Sequence, residues 1–297
     1  MADLNQKPAV VLMAYGSPRD ESEVEAYYTH IRHGRPPSPE ALQDLLDRYR
    51  AIGFSPLDRI TRAQAKALSE RAAIPAYVGY KHTAPFIAEA ALEAAGDGVD
   101  GLIGIPLAPH YAGMSLGTYE RELREAWTGR LLFVSGFHDH PAFIGAVCGL
   151  LREALRDFQP DRLFFTAHSL PARILAEGDP YRDQLLASCE LVAEAMPLPP
   201  WEFAFQRASH TGEPWLGPDL LEVLETARES GAGRVLVCPI GFVAEHLEIL
   251  YDIDLEAAGF AREHGLELRR TAAFDDRPEF IALLAALVEE ARADLFV

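Results

Sequence analysis

Three carboxylates recur four residues apart in the C-terminal part of the chain. They are Glu248, Asp252 and Glu256, within the segment EHLEILYDIDLEAAGF (Glu245–Phe260). On an α-helix these positions lie along nearly one face, where like charges repel by about 0.2–0.5 kcal/mol per pair. The apolar residues between them indicate that the helix is partly buried, and a buried charge requires a partner. The pattern therefore predicts either a solvated acidic face or a site beside which a divalent cation lies.

Ring-bearing polar side chains follow four of the apolar runs that read as strands. They are Tyr15 in MAYGSP, His82 in YKHTAP, His110 in LAPHYAG and His168 in TAHSLP. In open α/β sheets, ligands bind beyond the carboxyl ends of the strands. Histidine accepts a proton near neutral pH, and together with carboxylates it binds borderline divalent metals. Each ring taken alone is more often structural, so the functional prediction depends on their combination with the acidic residues.

A local basic cluster contrasts with the acidic chain. The sequence HIRHGRPP contains Arg32 and Arg35, and Arg48 follows on the next predicted helix, whereas the net charge of the whole chain is −18. Arginine binds carboxylates in a bidentate manner, so the cluster is a candidate anchor for an acidic substrate. The overall charge argues against nucleic acid and anionic membrane surfaces as main partners.

Short apolar runs alternate with helical patterns along the chain, which predicts parallel sheets with helices on both faces. Four runs precede Asp139 and four follow it, so we expect two doubly wound α/β domains, 1–138 and 139–297, with the last helix able to pack back on the first domain. The predicted strands are Ala9–Met13, Ala76–Tyr80, Leu102–Leu107, Leu131–Ser135, Leu163–Ala167, Glu202–Gln206, Val235–Pro239 and Leu266–Thr271. The acidic segment is expected to form one helix over Glu245–His264.

Several function classes lack their motifs. No GxGxxG sequence follows a strand and opens a helix, and no Walker sequence occurs. Ser169 is next to His168, but no GxSxG elbow is present, which argues against a serine hydrolase. Cys148, Cys189 and Cys238 are far apart, as is typical of buried thiols in a reducing compartment. No apolar run reaches about 18 residues and the N-terminus lacks signal-peptide features, so we expect a cytoplasmic protein.

The blocks that contain these residues resemble the ferrochelatase family, and within it the Gram-positive type that acts on coproporphyrin III. The strongest blocks are YYTHIRHGRPPSPEALQDLLDRYRAIGFSPL, TAHSLPARILAEGDPY, EPWLGPDL and PIGFVAEHLEILYDIDLEA. The resemblance runs from VLMAYGSP to FDDRPEFI. It implies two Rossmann-like domains, chelatase-like in fold, with an inter-domain porphyrin cleft. It also implies that Fe²⁺ is inserted into coproporphyrin III, with release of two protons, in haem biosynthesis.

The resemblance assigns roles near the reacting metal. His168 matches the histidine that faces the macrocycle, and Glu248 matches its carboxylate partner, so both are expected to be catalytic and to contact the metal. Tyr15 matches the residue that coordinates the product iron from the opposite face. Between apolar neighbours and other carboxylates, Glu248 is expected to have a raised pKa and to relay protons outward.

Asp252 and Glu256, with Arg48, match an outer metal-binding group of the family. The acidic row would then be a path for Fe²⁺ from solvent to the cleft, and Mg²⁺ is a candidate ligand of the outer carboxylates. Fe²⁺ is a substrate, and no permanently bound cofactor is expected. The chain lacks C-terminal cysteines of the kind that hold a [2Fe-2S] cluster in some relatives, so none is expected.

Substrate contacts are also implied by the resemblance. The residues expected to contact the porphyrin are Tyr15, Arg32, Arg48, Tyr49, Ser55, Ser115 and Tyr119. Two stretches depart from the family pattern: Gln206 is followed by Arg207 where a small polar residue is usual, and GFSPL is one residue shorter than the usual loop. Propionate contacts near Arg207 are therefore expected to differ.

Other interpretations remain open on the sequence alone. Within the same chemistry, the alternatives are a protoporphyrin IX ferrochelatase and a cobalt or sirohydrochlorin chelatase. A non-catalytic tetrapyrrole or haem carrier is an alternative of another class, although a carrier has no need of the outer acidic residues. An α/β protein with scattered surface acids is the fourth. For the favoured interpretation we expect a monomer whose partners are the porphyrin, Fe²⁺ and, transiently, other haem-biosynthesis enzymes.

Overall fold

The computed structural model describes residues 7–207 and 213–295 of the 297-residue chain. They form two compact units, one of residues 7–137 and 274–295 and the other of residues 138–207 and 213–273. Each unit contains a four-stranded parallel sheet with helices around it. The predicted fold class, two parallel α/β units, is confirmed.

The first unit is built on a central strand that is buried throughout. Its sheet has the order β2-β1-β3-β4, and residues 9–13 of β1 are completely buried because helices cover both faces. The strands are β1 (Pro8–Ala14), β2 (Ala76–Tyr80), β3 (Gly101–Pro106) and β4 (Arg130–Phe133). A 3-10 turn (Glu21–Glu23) leads into α1 (Val24–Ile31), and α2 (Pro39–Ala51), α3 (Leu57–Ala72), α4 (Ile87–Gly96) and α5 (Leu116–Ala126) follow.

The second unit repeats this arrangement, with the order β6-β5-β7-β8. Its strands are β5 (Arg162–His168), β6 (Trp201–Gln206), β7 (Arg234–Cys238) and β8 (Glu267–Arg270). Its helices are α6 (Pro141–Leu155), α7 (Arg173–Ala176), α8 (Tyr181–Ala195), α9 (Leu220–Glu229), α10 (Leu247–Leu250) and α11 (Ala258–Glu263), with a π-helix (Asp252–Ala257) between the last two. The register of β5 and β6 sets His168 opposite Gln206 at the carboxyl end of the sheet.

The last helix, α12 (Pro278–Leu295), belongs to the first unit. It packs against α3, β3 and β4, and its apolar residues, including Phe280 and Leu284, are buried there. Contacts thus group this helix with the N-terminal strands, and the division into domains 1–138 and 139–297 stays a prediction. No helix in the described part of the chain is long and apolar enough to cross a membrane.

The prediction of one continuous α-helix over Glu245–His264 is wrong. The Glu256 N–H donates to the Tyr251 carbonyl, five residues back, which is the π-helical pattern. The cause is the spacing of the buried residues, which are Ile249, Ile253, Ala257 and Ala261. Residues four apart drift by about 40° per step on an α-helix, and a wider turn keeps them in line. Of the acidic row, one residue earlier at each step, Asp252 is buried and Glu256 is exposed.

Candidate functional site

His168, the last residue of β5, lies against Glu248 at the carboxyl end of the second sheet. Its Nδ1 atom is 3.1 Å from Glu248 Oε2, although it makes no well-aligned hydrogen bond there. The Tyr181 hydroxyl donates to the His168 carbonyl at 3.0 Å, and the Trp215 ring lies edge-on to the imidazole at 6.4 Å. The structure therefore brings together the two residues for which the sequence suggests a catalytic role.

A second imidazole, which the sequence analysis missed, completes this group. His246 Nε2 is 3.6 Å from the same Oε2 atom of Glu248. Its Nδ1 is 2.9 Å from the Ala244 carbonyl, and since a carbonyl only accepts, Nδ1 carries a proton. On the other side, the Gln206 side-chain amide donates to the Glu248 carbonyl at 2.9 Å. The sequence signal that could have identified His246 is its HxE spacing to Glu248 at the start of a helix.

The two members of the pair shift each other's pKa in opposite directions. Burial by itself lowers the pKa of His168, but the negative charge of Glu248 outweighs it and the pKa is raised. Burial by itself raises the pKa of Glu248, but His168 and His246 outweigh it and hold the pKa well below its usual range. The expectation of a raised Glu248 pKa is therefore wrong, because imidazoles rather than carboxylates face this group. Between the two pKa values the pair is an imidazolium and a carboxylate.

The outer acidic residues have different environments. Asp252 is buried, and its Oδ1 atom is 3.2 Å from Nη1 of Arg207, whereas Glu256 is exposed. Arg48, expected to complete an outer metal group, lies in the first unit, where its Nε is 3.1 Å from Asp44 Oδ2. Within residues 7–207 and 213–295, no three His, Cys, Asp or Glu side chains are arranged to hold a metal ion. Asp252 is therefore paired with a cation of the protein itself.

Arg270 of β8 ties the acidic segment to the sheet. Its guanidinium contacts both carboxylate oxygens of Glu245, at 2.8 and 3.0 Å, and both of Asp254, at 2.6 and 2.7 Å. These carboxylates raise the pKa of Arg270 further, against the effect of burial. Bidentate pairs of this kind are strong and fix orientation. Arg270 thus bridges a residue just before α10 and one inside the π-helix, the two ends of the stretch that carries Glu248.

In the first unit, Tyr15 lies on an aromatic and histidine cluster. Its side chain, 41% exposed, packs at 4.5 Å against the ring of His82, and the Lys81 ammonium is 6.0 Å from its centroid. Nδ1 of His82 is 2.9 Å from Nδ1 of His30, so one of these nitrogens donates and the other accepts. Burial, with the nearby positive charge of Lys81, lowers the pKa of His82 to about 3. His82 is therefore neutral at physiological pH.

All seven residues expected to contact the porphyrin lie in the first unit. Tyr15 and Arg32 are exposed, whereas Tyr49 and Tyr119 are 2% and 4% exposed. The two serine hydroxyls make local bonds: Ser55 accepts from the Leu57 N–H and Ser115 donates to the Ala112 carbonyl, each at 3.3 Å. Arg32 lies over the Tyr28 ring at 5.7 Å. Their contacts with substrate stay predictions.

The two parallel α/β units, each a four-stranded sheet flanked by helices, have a chelatase-like fold. The solved structure of SirB from Bacillus subtilis with Fe³⁺ matches at a TM-score of 0.65 and 12% identity, over 97% of both chains. At that identity the match shows the fold alone. This match agrees with the fold of the two units described above.

Sequence relatives identify the family. The model of the ferrochelatase family matches residues 7–292. A ferrochelatase of Herpetosiphon aurantiacus is 40% identical over 302 residues, covering 96% of this chain and 99% of its own. Coproporphyrin III ferrochelatase 2 of Bacillus cereus is 40% identical over 301 residues, covering 96% and 94%. The chain belongs to the ferrochelatase family, metal-chelating lyases that insert iron into a porphyrin. The resemblance found in the sequence is confirmed.

Proposed function

We propose that this enzyme inserts Fe²⁺ into coproporphyrin III to give coprohaem III. The name of the Bacillus cereus relative supports this substrate. Exposed Arg32, at the end of α1 in the same unit as Tyr15, supports it further, because a guanidinium binds a propionate in a bidentate manner. A four-propionate substrate offers more such contacts than protoporphyrin IX.

The proposed metal-insertion chemistry depends on the ion pair of His168 and Glu248. Metal insertion must remove two N–H protons from the porphyrin and expose nitrogen lone pairs. His168, once neutral, accepts one pyrrole proton, and the negative charge of Glu248, 3.1 Å away, stabilises the imidazolium that forms. After His168 has released that proton to solvent, it accepts the second pyrrole proton in the same way. His246 holds Glu248 ionised, so the carboxylate stabilises the imidazolium rather than competing for its proton.

We expect His168 and Glu248 to hold Fe²⁺ only weakly. A site of imidazole and carboxylate suits a borderline metal without the tight grip of thiolates, so the ion can pass on to the porphyrin. His168 and Glu248 are the proposed contacts of Fe²⁺ before insertion, and Tyr15 is the proposed ligand of the product iron. Exposed Glu256 attracts Fe²⁺ from solvent through its charge.

An anaerobic assay with Fe²⁺ tests the substrate assignment. We expect rapid change of the visible absorption bands with coproporphyrin III and at most slow change with protoporphyrin IX. Faster insertion into protoporphyrin IX would reverse the assignment. A parallel arm with sirohydrochlorin and Co²⁺ addresses the alternative chelatase, and stoichiometric binding of haem without turnover would indicate a carrier.

The cellular setting is proposed on less direct grounds. Cys148, Cys189 and Cys238 are all free thiols, which suits a reducing compartment and supports a cytoplasmic location. We propose a monomer that passes its product to other haem-biosynthesis enzymes by transient contact. Sedimentation of the purified protein tests the oligomeric state.

A further inference from the structure

Arg207 lies beside Asp252, where the family resemblance suggests a divalent cation. The guanidinium Nη1 is 3.2 Å from Asp252 Oδ1, and the two side chains are 24% and 6% exposed. A carboxylate buried to this degree requires a positive partner, since solvent does not compensate its charge. In this protein that positive partner is the guanidinium of Arg207.

The backbone at Arg207 is arranged for this contact. Arg207 has a φ of 61°, in the left-handed region that L-residues other than Asn, Asp and Gly rarely adopt. It directly follows Gln206, whose amide holds the Glu248 carbonyl. An unfavourable conformation persists only where the surroundings stabilise it. A small polar side chain, usual for the family at this position, would be too short to form an ion pair with Asp252.

We propose that the Arg207 guanidinium is the resident cation of this outer acidic site, and that Asp252 does not bind Mg²⁺ or another divalent ion in this protein. A positive group at 3.2 Å opposes a second cation by direct repulsion. Because Asp252 is paired with Arg207, exposed Glu256 offers a divalent ion only one carboxylate.

Titration of the full-length protein with Mn²⁺ alone, followed by the EPR signal of the free ion, tests the proposal. Mn²⁺ prefers the same oxygen ligands as Mg²⁺. Wild type and Asp252→Asn should bind Mn²⁺ equally. Arg207→Ser should bind it at least about tenfold more tightly, because the repelling charge is gone, and the double variant Arg207→Ser with Asp252→Asn should lose that gain.

Two further variants separate charge from other effects. Arg207→Lys keeps the positive charge and should gain no Mn²⁺ affinity. Arg228→Ser removes an arginine from another carboxylate pair, with Glu225 at 2.6 Å, and should also gain none. Circular dichroism checks folding, and if Arg207→Ser does not fold, Arg207→Gln removes the charge while keeping most of the side-chain length.

Either of two results would overturn the proposal. One is a wild-type Mn²⁺ affinity that falls in Asp252→Asn, which would place the metal on Asp252 despite Arg207. The other is an Arg207→Ser variant that is folded and gains no Asp252-dependent binding. Neither result bears on the porphyrin that is used, because the titration contains no porphyrin.

Discussion

His168 and Glu248 form an ion pair, 3.1 Å between Nδ1 and Oε2, in which each residue stabilises the charged form of the other. The residue proposed to accept a pyrrole proton is therefore protonated over more of the neutral pH range than an isolated histidine. It must lose that proton before it can act as a base. The pair thus favours charge separation within the protein and makes the onset of catalysis dependent on pH.

Removing either member should abolish most metal insertion. For His168→Ala and for Glu248→Gln we expect kcat to fall by at least about 100-fold, the usual contribution of a positioned acid or base. Porphyrin binding, followed by fluorescence quenching, should change little. His264→Ala, which alters an exposed histidine stacked on Phe260, is the control and should retain activity. Near-normal turnover in either site variant removes that residue from its proposed role.

The pH dependence should follow the charge of Glu248. Because Glu248 raises the pKa of His168 above 6.5, insertion should decline as the pH falls through a value above 6.5. In Glu248→Gln, burial is opposed only by the weaker effect of Asp252, so the pKa of His168 should fall below that of wild type. NMR titration of the His168 imidazole measures the shift directly, even where the variant has little activity. An unchanged midpoint would contradict the ion pair.

The same pair should make stability depend on pH within a defined window. A raised His168 pKa contributes stability that is fully present below about 6.5 and is lost as the pH rises through the folded-state pKa. A lowered Glu248 pKa contributes stability present above about 4.5 and lost as the pH falls through its folded-state value. The advantage of wild type over Glu248→Gln in urea unfolding should therefore be largest between about 4.5 and 6.5. A constant difference from pH 4 to pH 8 would contradict this.

The strands could be predicted closely from the sequence. The run Ala76–Tyr80 coincides with β2, and the others differ at their ends by a residue or two. The reason is physical: a parallel strand buried on both faces reads as a continuous apolar run bounded by polar or turn residues. Helices could be predicted less closely: within Glu245–His264, expected to be one helix, the first helix begins at Leu247 and a π-helix follows it.

What the sequence did not indicate depends on contacts between distant residues. The π-helix follows from which residues meet the core, and α7 is too short to show a period. The ion pair of Arg207 and Asp252 joins two elements with no shared pattern, so the departure at Arg207 was visible but its partner was not. The lowered pKa of Glu248 depends first on His168 and then on His246, and no periodicity in the sequence indicates where these two rings lie.

Arg270 should position the segment that carries Glu248. Arg270→Met removes the cation that contacts both Glu245 and Asp254, and because Arg270 is 16% exposed we expect a loss of about 2–4 kcal/mol in unfolding free energy. Arg269→Met is the matched control: its side chain is 46% exposed and should cost at most about 1 kcal/mol.

Charge removal should reverse part of that loss. Adding Glu245→Gln to Arg270→Met removes one of the two negative charges that Arg270 contacts in wild type and should recover stability, as measured by urea unfolding. At temperatures where Arg270→Met is folded, kcat should still fall, since Glu248 loses its fixed position. A variant as stable and active as wild type would show that the bidentate contacts do not hold the segment.

Tyr15 provides the last prediction, which concerns the product rather than the insertion step. Its ring is 41% exposed and packs on His82, so Tyr15→Phe removes a hydroxyl without opening a cavity and should leave unfolding unchanged. If the phenol oxygen coordinates the product iron, the visible spectrum of the variant mixed with ferric product should lose its tyrosinate charge-transfer absorption, and the product should dissociate faster. Tyr77→Phe, which removes a hydroxyl bonded to Asp97 at 2.7 Å on β2, should leave the spectrum as in wild type. The same spectrum in Tyr15→Phe and wild type would show that another group, or water, binds the iron on that face.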